Sequence, residues 1–159
     1  MKTAVVLSDT HGNTAFLEKL FPLFKENDYI IHLGDGNRDM IEIFKAFPEK
    51  TFVCQGNCDF PTEFSQPEWE LEIENCKIFC THGHRYGVKS GLNGLKQEAM
   101  QRGCQVALYG HTHAAEVKKD GDILVCNPGN GKRFSVNPSY GYLVVNQGKA
   151  TFTVVPVLP

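Results

Sequence analysis

Apolar positions along this 159-residue chain fall into short runs separated by polar, glycine-containing segments. Residues 3–7, rich in β-branched side chains, read as a buried strand. Phe16, Leu17, Leu20, Phe21 and Phe24 then recur at the spacing of an amphipathic helix, with Asn13 as its predicted N-cap. Pro22 lies inside that stripe and predicts a kink or an early end. Tyr29 to Leu33 reads as a second strand, 38–47 as a helix carrying Met40, Ile41, Phe44 and Phe47, and Thr51 to Cys54 as a third strand. Strands alternating with helices imply parallel pairing through right-handed crossovers.

The rhythm then changes. Trp69, Leu71 and Ile73 alternate with Glu68, Glu70, Glu72 and Glu74, the mark of a half-exposed antiparallel strand, and a turn at Asn75-Cys76 leads into Lys77 to Thr81. Residues 90–102 form a helix with Leu92, Leu95 and Ala99 on one side and Gly103 past its end. Val106 to Tyr109 is a buried strand, and further strands are expected near 115–119, 122–126, 140–146 and 149–156. Asp120-Gly121-Asp122 and Asn146-Gln147-Gly148-Lys149 read as hairpin turns. The chain lacks repeats and long linkers. The expectation is a single domain over 1–159 of the α/β class, with two stacked mixed β-sheets flanked by helices.

Composition narrows the classes of function. Hydrophobic residues make up 42% and charged residues 21%, ordinary for a globular protein. A net charge of −2 argues against a nucleic-acid partner, since no broad basic face is available. The N-terminal apolar run is too short for a signal-peptide core, and no stretch approaches the ~20 apolar residues of a membrane span. The expected location is cytoplasmic, without a membrane partner. The six cysteines form no C-x-x-C pair and read as buried free thiols, the four-residue spacings Cys54/Cys58 and Cys76/Cys80 being a weak match to zinc knuckles. Val154, Val155, Val157 and Leu158, near the last strand, offer apolar surface for pairing with a second copy.

Five polar segments follow the strand-like runs, each with a glycine: Ser8-Asp9-Thr10-His11-Gly12, His32-Leu33-Gly34-Asp35, Gly56-Asn57-Cys58-Asp59, Thr81-His82-Gly83-His84 and Gly110-His111-Thr112-His113. In α/β folds, sites are built at such strand ends. The carboxylate, imidazole and amide-carbonyl donors are a mixed nitrogen and oxygen set, suited to Mn²⁺, Fe²⁺, Co²⁺ or Zn²⁺. Asp9 and His11 are spaced i, i+2, so at a strand end the pair can converge on one ion, and His111 and His113 repeat the spacing. Two divalent ions would outweigh Asp9, Asp35 and a bridging hydroxide by one positive charge, which favours a phosphate anion. His32, on a buried strand, reads as a core residue, and Asp39 as an acidic residue favourable at a helix start. Asn127-Pro128-Gly129-Asn130 is read as lining a phosphate pocket with backbone N–H groups.

In this order the segments resemble the calcineurin-like metallophosphoesterase superfamily, whose pattern is D-x-H, G-D, G-N-H/C-D, H-G-H and G-H-x-H. The short chain and the Gly56-Asn57-Cys58-Asp59 variant look most like the small YfcE-type phosphodiesterase branch, which is also related to the retromer scaffold subunit. The resemblance implies a four-layer α/β/β/α sandwich and two divalent ions, manganese first, with iron, zinc, cobalt or nickel as alternatives. Asp9, His11, Asp35 and His113 would hold one ion, and Asp35, Asn57, His82 and His111 the other, with Asp35 bridging. It further implies hydrolysis of a small phosphate ester, a phosphodiester more than a monoester, by in-line attack of a metal-bridging hydroxide, so that Asp35 and Asn57 also count as catalytic. Cys58 stands where many relatives carry a proton-donating His, which leaves His84 as the candidate acid. A non-catalytic scaffold on the same fold is the alternative.

Overall fold

A computed structural model describes residues 1–158. Among these residues eleven strands form two mixed sheets. β1 (Lys2–Leu7), β2 (Tyr29–His32), β3 (Thr51–Cys54) and the two-residue β4 (Ser65–Gln66) run parallel, and β10 (Ser139–Asn146) and β11 (Lys149–Pro156) complete the first sheet in the order β11-β10-β1-β2-β3-β4. The second sheet is ordered β5-β6-β7-β9-β8, from β5 (Glu68–Ile73), β6 (Cys76–Thr81), β7 (Val106–Leu108), β8 (Glu116–Asp120) and β9 (Ile123–Asn127). Within it β6, β7 and β9 are parallel, and β5 and β8 pair antiparallel at the edges.

The alternation of side chains along each strand divides the apolar residues among three layers. Val6, Ile31 and Leu143 of the first sheet face Ile78, Leu108 and Cys126 of the second and fill the space between the sheets. Val5, Leu7, Ile30 and Val53 point the other way, against α1 (Thr14–Glu26) and α2 (Ile41–Ala46). Phe79, Ala107 and Val125 cover the outer side of the second sheet and pack on α3 (Asn93–Gln101). The result is the expected α/β/β/α stack.

Local chemistry explains most boundaries. Glu74 and Asn75 take positive φ (49° and 65°), which makes the two-residue turn between Ile73 and Cys76 of the primed type that suits twisted antiparallel strands. At the end of α3, Gly103 (φ 73°) donates to the Met100 carbonyl and Cys104 to that of Ala99, a Schellman closure. Three expectations need correction. α1 runs on through Pro22 to Glu26, because the carbonyl left without a donor belongs to exposed Glu18 while Leu20 and Phe24, flanking it, are buried. Asn13 makes no side-chain cap; its Nδ2 donates instead to the Gly131 carbonyl at 2.8 Å. The 38–47 helix divides into a 3₁₀ turn at Asn37–Met40 followed by α2.

Five of the six cysteines are buried, all six are free, and Cys58 is exposed. Near the C-terminus, Val154 packs on the inter-sheet core and Val155 and Val157 on the α1 side, leaving Leu158 exposed. No helix among the described residues is long and apolar enough to cross a membrane.

Candidate metal centre

All five polar segments meet beyond the C-terminal ends of β1, β2, β3, β6 and β7. Asp9, Asp35 and His82 form a buried floor, and His11, His111, His113 and Asn57 rise from it toward solvent. Asp9 Oδ1 lies 3.1 Å from His113 Nε2 and 3.5 Å from His11 Nε2, and the two ring nitrogens are 3.3 Å apart. A second group gathers 3.1–3.3 Å around His82 Nε2: Asn57 Oδ1, His111 Nδ1 and Asp35 Oδ2. Asp35 Oδ2 is also 3.7 Å from His11 Nε2, so this carboxylate stands between the two groups.

These separations fit the edges of a coordination shell. Two donors each about 2.1 Å from one ion, at angles of 90–110°, lie about 3.0–3.5 Å apart. Nitrogen lone pairs brought so close to one another and to carboxylate oxygens have little reason to converge unless a cation joins them. Asp9 Oδ1 supports the same reading, being buried without a hydrogen-bond donor while Oδ2 is fully engaged by Ser8 Oγ (2.5 Å) and the His111 N–H (3.0 Å). His82 donates Nδ1–H to the Leu33 carbonyl at 2.9 Å, which fixes the tautomer that turns Nε2 into the site.

The i, i+2 pairs behave differently from strand alternation, because every member lies past the end of its strand. Asp9, His11, Asp35, His111 and His113 all take left-handed φ between 45° and 70°, five of the nine such non-glycine residues described. Strain of this kind gathers at functional sites. Asp9 and His11 stay in one group, whereas His111 and His113 divide, His111 joining His82 and His113 joining Asp9.

Several supports were not anticipated. Asp59 accepts four backbone N–H bonds, Oδ2 from Asp35 (2.7 Å) and Gly56 (2.8 Å), Oδ1 from Gly36 (3.0 Å) and Asn37 (3.2 Å). It thereby closes the β2 and β3 loops around the Asp35 side chain, whose Oδ1 takes the Cys58 N–H at 2.9 Å. Asp39 does more than favour a helix start: its Oδ2 accepts from Thr10 Oγ1 (2.6 Å) and the Gly12 N–H (2.9 Å), pinning the loop that carries Asp9 and His11. Behind it, buried His32 accepts the Gly34 N–H on Nδ1, so its Nε2–H donates to Thr10 Oγ1 at 3.0 Å. Burial holds its pKa below the ordinary value, consistent with that neutral ring. Asp59 was visible only as a motif letter, since carboxylate-to-loop bonds across twenty residues leave no local pattern.

Two glycines are required for closeness rather than for flexibility. A Cβ on Gly56 would run into the Asp35 carboxylate, and one on Gly110 would meet Ser8 Oγ and come within 2.7 Å of Asp9 Oδ2. In the Asn127–Asn130 loop, expected to offer N–H groups to an anion, the Gly129 N–H is already engaged. Gly129 N–H is held by Asn127 Oδ1, while Asn127 Nδ2 binds the Gly110 carbonyl and Thr112 Oγ1, and Asn130 Nδ2 the His113 carbonyl. The loop braces the segment that presents His111 and His113.

The electrostatics follow from packing two carboxylates among imidazoles. Burial would raise the Asp9 and Asp35 pKa values, but nearby His11 and His82 hold Asp9 below its ordinary value, and His82 above all does so for Asp35. Conversely Asp9 raises the pKa of His11, and for His82 the pull of burial is outweighed by Asp35 and Asp9. Burial lowers the His111 and His113 pKa values, and that of His84. The Cys58 thiol is pushed up by burial and by Asp35, so it stays protonated at neutral pH. His84 sits in a 3₁₀ turn over the second group, its ring centroid 5.4 Å from that of His82 and 6.1 Å from that of His111. Its Nδ1 is buried without a partner.

Two mixed sheets in an α/β/β/α stack, with Asp, His and Asn donors from five strand ends, define a metallophosphoesterase class of protein. A family model for the calcineurin-like phosphoesterase superfamily domain matches residues 1–150, and the chain belongs to that superfamily. It is 32% identical over 150 residues to the probable metallophosphoesterase YsnB of Bacillus subtilis (strain 168), covering 92% of this chain and 86% of that one. To phosphodiesterase YfcE of Escherichia coli (strain K12) it is 27% identical over 153 residues, covering 82% and 79%. Among solved structures, a conserved protein of Streptococcus pneumoniae TIGR4 superposes with a TM-score of 0.81 at 24% identity, over 98% of this chain and 89% of that one. Vps29 of Entamoeba histolytica, complexed with zinc, gives 0.75 at 21% identity, over 97% and 98%. The last two show a shared fold. Membership of the superfamily implies divalent metal binding, and the gathered donors fit it.

Proposed function

We propose that this protein is a dinuclear metal-dependent phosphodiesterase. Asp9, His11 and His113 would hold one ion and Asn57, His82 and His111 the other, with Asp35 shared between them. The observation that carries this reading is the Asp35 carboxylate, whose Oδ2 lies within 3.3 Å of His82 Nε2 and 3.7 Å of His11 Nε2. The carboxylate, imidazole and amide donors of the two groups favour Mn²⁺, with Fe²⁺, Zn²⁺, Co²⁺ and Ni²⁺ as alternatives; the Cys58 thiol also stands within reach of His11 and Asp35 but stays protonated. When bound, the ions lower the pKa of water and neutralise phosphate charge.

The chain's own residues then do the following. Asp59, Asp39 and His82's bond to Leu33 hold the donors in place, so little reorganisation is needed when substrate arrives. Asn57, exposed at the rim, presents its side chain to both the second donor group and an entering phosphate. His84 donates an N–H to the leaving oxygen, the role Cys58 fills poorly because its thiol is a weak donor. The open rim admits a phosphate with two ester arms, which supports a diester over a monoester, as does the likeness to phosphodiesterase YfcE. The second reading, a scaffold without catalysis, draws on the Vps29 fold likeness but leaves the converging donors and the orphaned Asp9 oxygen without a purpose.

The test is metal content together with Mn²⁺-dependent hydrolysis of bis(p-nitrophenyl) phosphate beside p-nitrophenyl phosphate, for the wild type and Asp35→Asn. Turnover favouring the diester and lost in Asp35→Asn is expected. No turnover with any divalent metal, or an Asp35→Asn variant that keeps full metal content and activity, would sink the proposal and leave the scaffold.

A further inference from the structure

Beside the donor cluster lies a segment that neither packing nor metal binding accounts for. Phe134 is 100% exposed and Val136 98%, on the loop joining Gly131 to Pro138. Phe134 also takes a left-handed backbone (φ 62°), a conformation bulky side chains disfavour and which burial does not here compensate. Lys132 and Arg133 precede it and are likewise exposed. Among the described residues the side-chain cations in ion pairs with carboxylates are Lys2, Lys45, Lys96 and Arg102, apart from histidines; neither Lys132 nor Arg133 has one.

The root of this loop is bound to the donor cluster. Gly131 N–H donates to the Asp9 carbonyl at 3.3 Å, Asn130 Nδ2 to the His113 carbonyl at 2.9 Å, and Asn13 Nδ2 to the Gly131 carbonyl at 2.8 Å. Lys132 directly follows Gly131, so its side chain leaves the loop next to the segment that carries Asp9. Between the loop and α1 runs an open groove of about 580 Å³, with Phe16, Pro138 and Val157 among its apolar lining and Lys19, Lys132 and Arg133 supplying charge. Two residues span at most about 7 Å of chain, so Phe134 stands within a nucleotide's phosphate-to-base reach of Lys132.

We propose that this groove is a subsite for a nucleoside 5′-phosphate group, with the base against Phe134 and the phosphate between the donor cluster and Lys132. It rests on the phosphodiesterase reading, which it narrows to nucleoside phosphodiesters. An aromatic ring on a single anion matches an exposed aromatic side chain beside unpaired cations, and base–aromatic stacking tolerates any base. Pro138 and Val157 in the groove lining extend the contact to the sugar.

The experiment has two readouts. Calorimetric titration of AMP into the Mn²⁺-loaded full chain should show binding weakened about tenfold by Phe134→Ala, retained by Phe134→Tyr and weakened by Lys132→Gln. Phe134 is wholly exposed, so folding is not at stake. In kinetics, the preference for thymidine 5′-(p-nitrophenyl phosphate) over methyl p-nitrophenyl phosphate should fall about tenfold in Phe134→Ala, mainly through KM. AMP binding that depends on Phe134 without hydrolysis of any ester would keep the subsite and remove the catalytic reading. Hydrolysis and AMP binding indifferent to Phe134 would overturn the subsite and keep the catalytic reading. Sedimentation with phosphatidylserine vesicles that is lost in Phe134→Ala, with AMP binding unchanged, would also overturn it, assigning the loop to a lipid surface.

Discussion

Replacing Asp59 by Asn tests whether the loops around Asp35 are held by one carboxylate. The substitution keeps the shape of the side chain, but the amide has a single acceptor oxygen. It can serve the Asp35 and Gly56 N–H groups or those of Gly36 and Asn37, and the other two donors then face an NH₂ group. Hydrogen bonds to a charged acceptor contribute about 1.5–3 kcal/mol each. Asp59 is half-exposed, so water recovers part of the loss, and a net cost of about 3 kcal/mol is expected for the two bonds removed. With a urea slope of about 2 kcal/mol per M, the unfolding midpoint should fall by about 1.5 M. The measurement is made in a chelator, so that metal binding to the folded state contributes nothing. A midpoint shift corresponding to less than about 1 kcal/mol would refute the reasoning, because it would mean the four short contacts carry no more than ordinary surface bonds.

Further expectations concern the site and its frame. Asp35→Asn should lower kcat/KM on bis(p-nitrophenyl) phosphate by at least about a thousandfold and reduce bound metal, measured by elemental analysis. His84→Ala should depress turnover of a diester with a poor alkoxide leaving group about a hundredfold more than that of an aryl diester; equal losses on both would exclude a role at the leaving oxygen. Gly110→Ala should cost about 2–3 kcal/mol in thermal unfolding and lose metal, since its Cβ meets Ser8 Oγ and the Asp9 carboxylate. At pH 8, dithionitrobenzoate should react with one thiol of the native chain and six of the denatured one. Cys126 is buried with its pKa raised to about 12 and Cys80 higher still, so thiolate is scarce there, and rapid release of more than one equivalent from the native chain would contradict the packing.

The strands, α1, α3 and the hairpins were legible because side-chain periodicity and turn residues are local signals. Ile73 to Cys76, with Glu74-Asn75 between them, is such a case. The convergence of the seven candidate ligands was legible for another reason: each follows an apolar run in a recognisable motif, and Asp9 and Asp35 would be costly there as unpaired charges. What escaped were features decided across the sheet. Pro22 was read as a kink or an early end, yet the helix does not end there: the packing of Leu20 and Phe24 outweighs one lost bond at an exposed carbonyl. Asn13 was read as a cap, yet its side chain is used 118 residues away, at Gly131.

By itself, then, the order of residues determined the donor types, their place at strand ends and the layered class of the fold, since each follows from composition within a few positions. How the donors divide was implied by the family resemblance alone; no local spacing contains it, and its physical reason lies in the tertiary structure. His111 and His113 share one spacing, but a left-handed turn past β7 sends one ring to His82 and the other to Asp9. Likewise Asp59 and Asp39 became the frame of the site only when β2 and β3, and the loop after β1, came side by side. Such contacts depend on distances between distant segments, and no short window of sequence contains them.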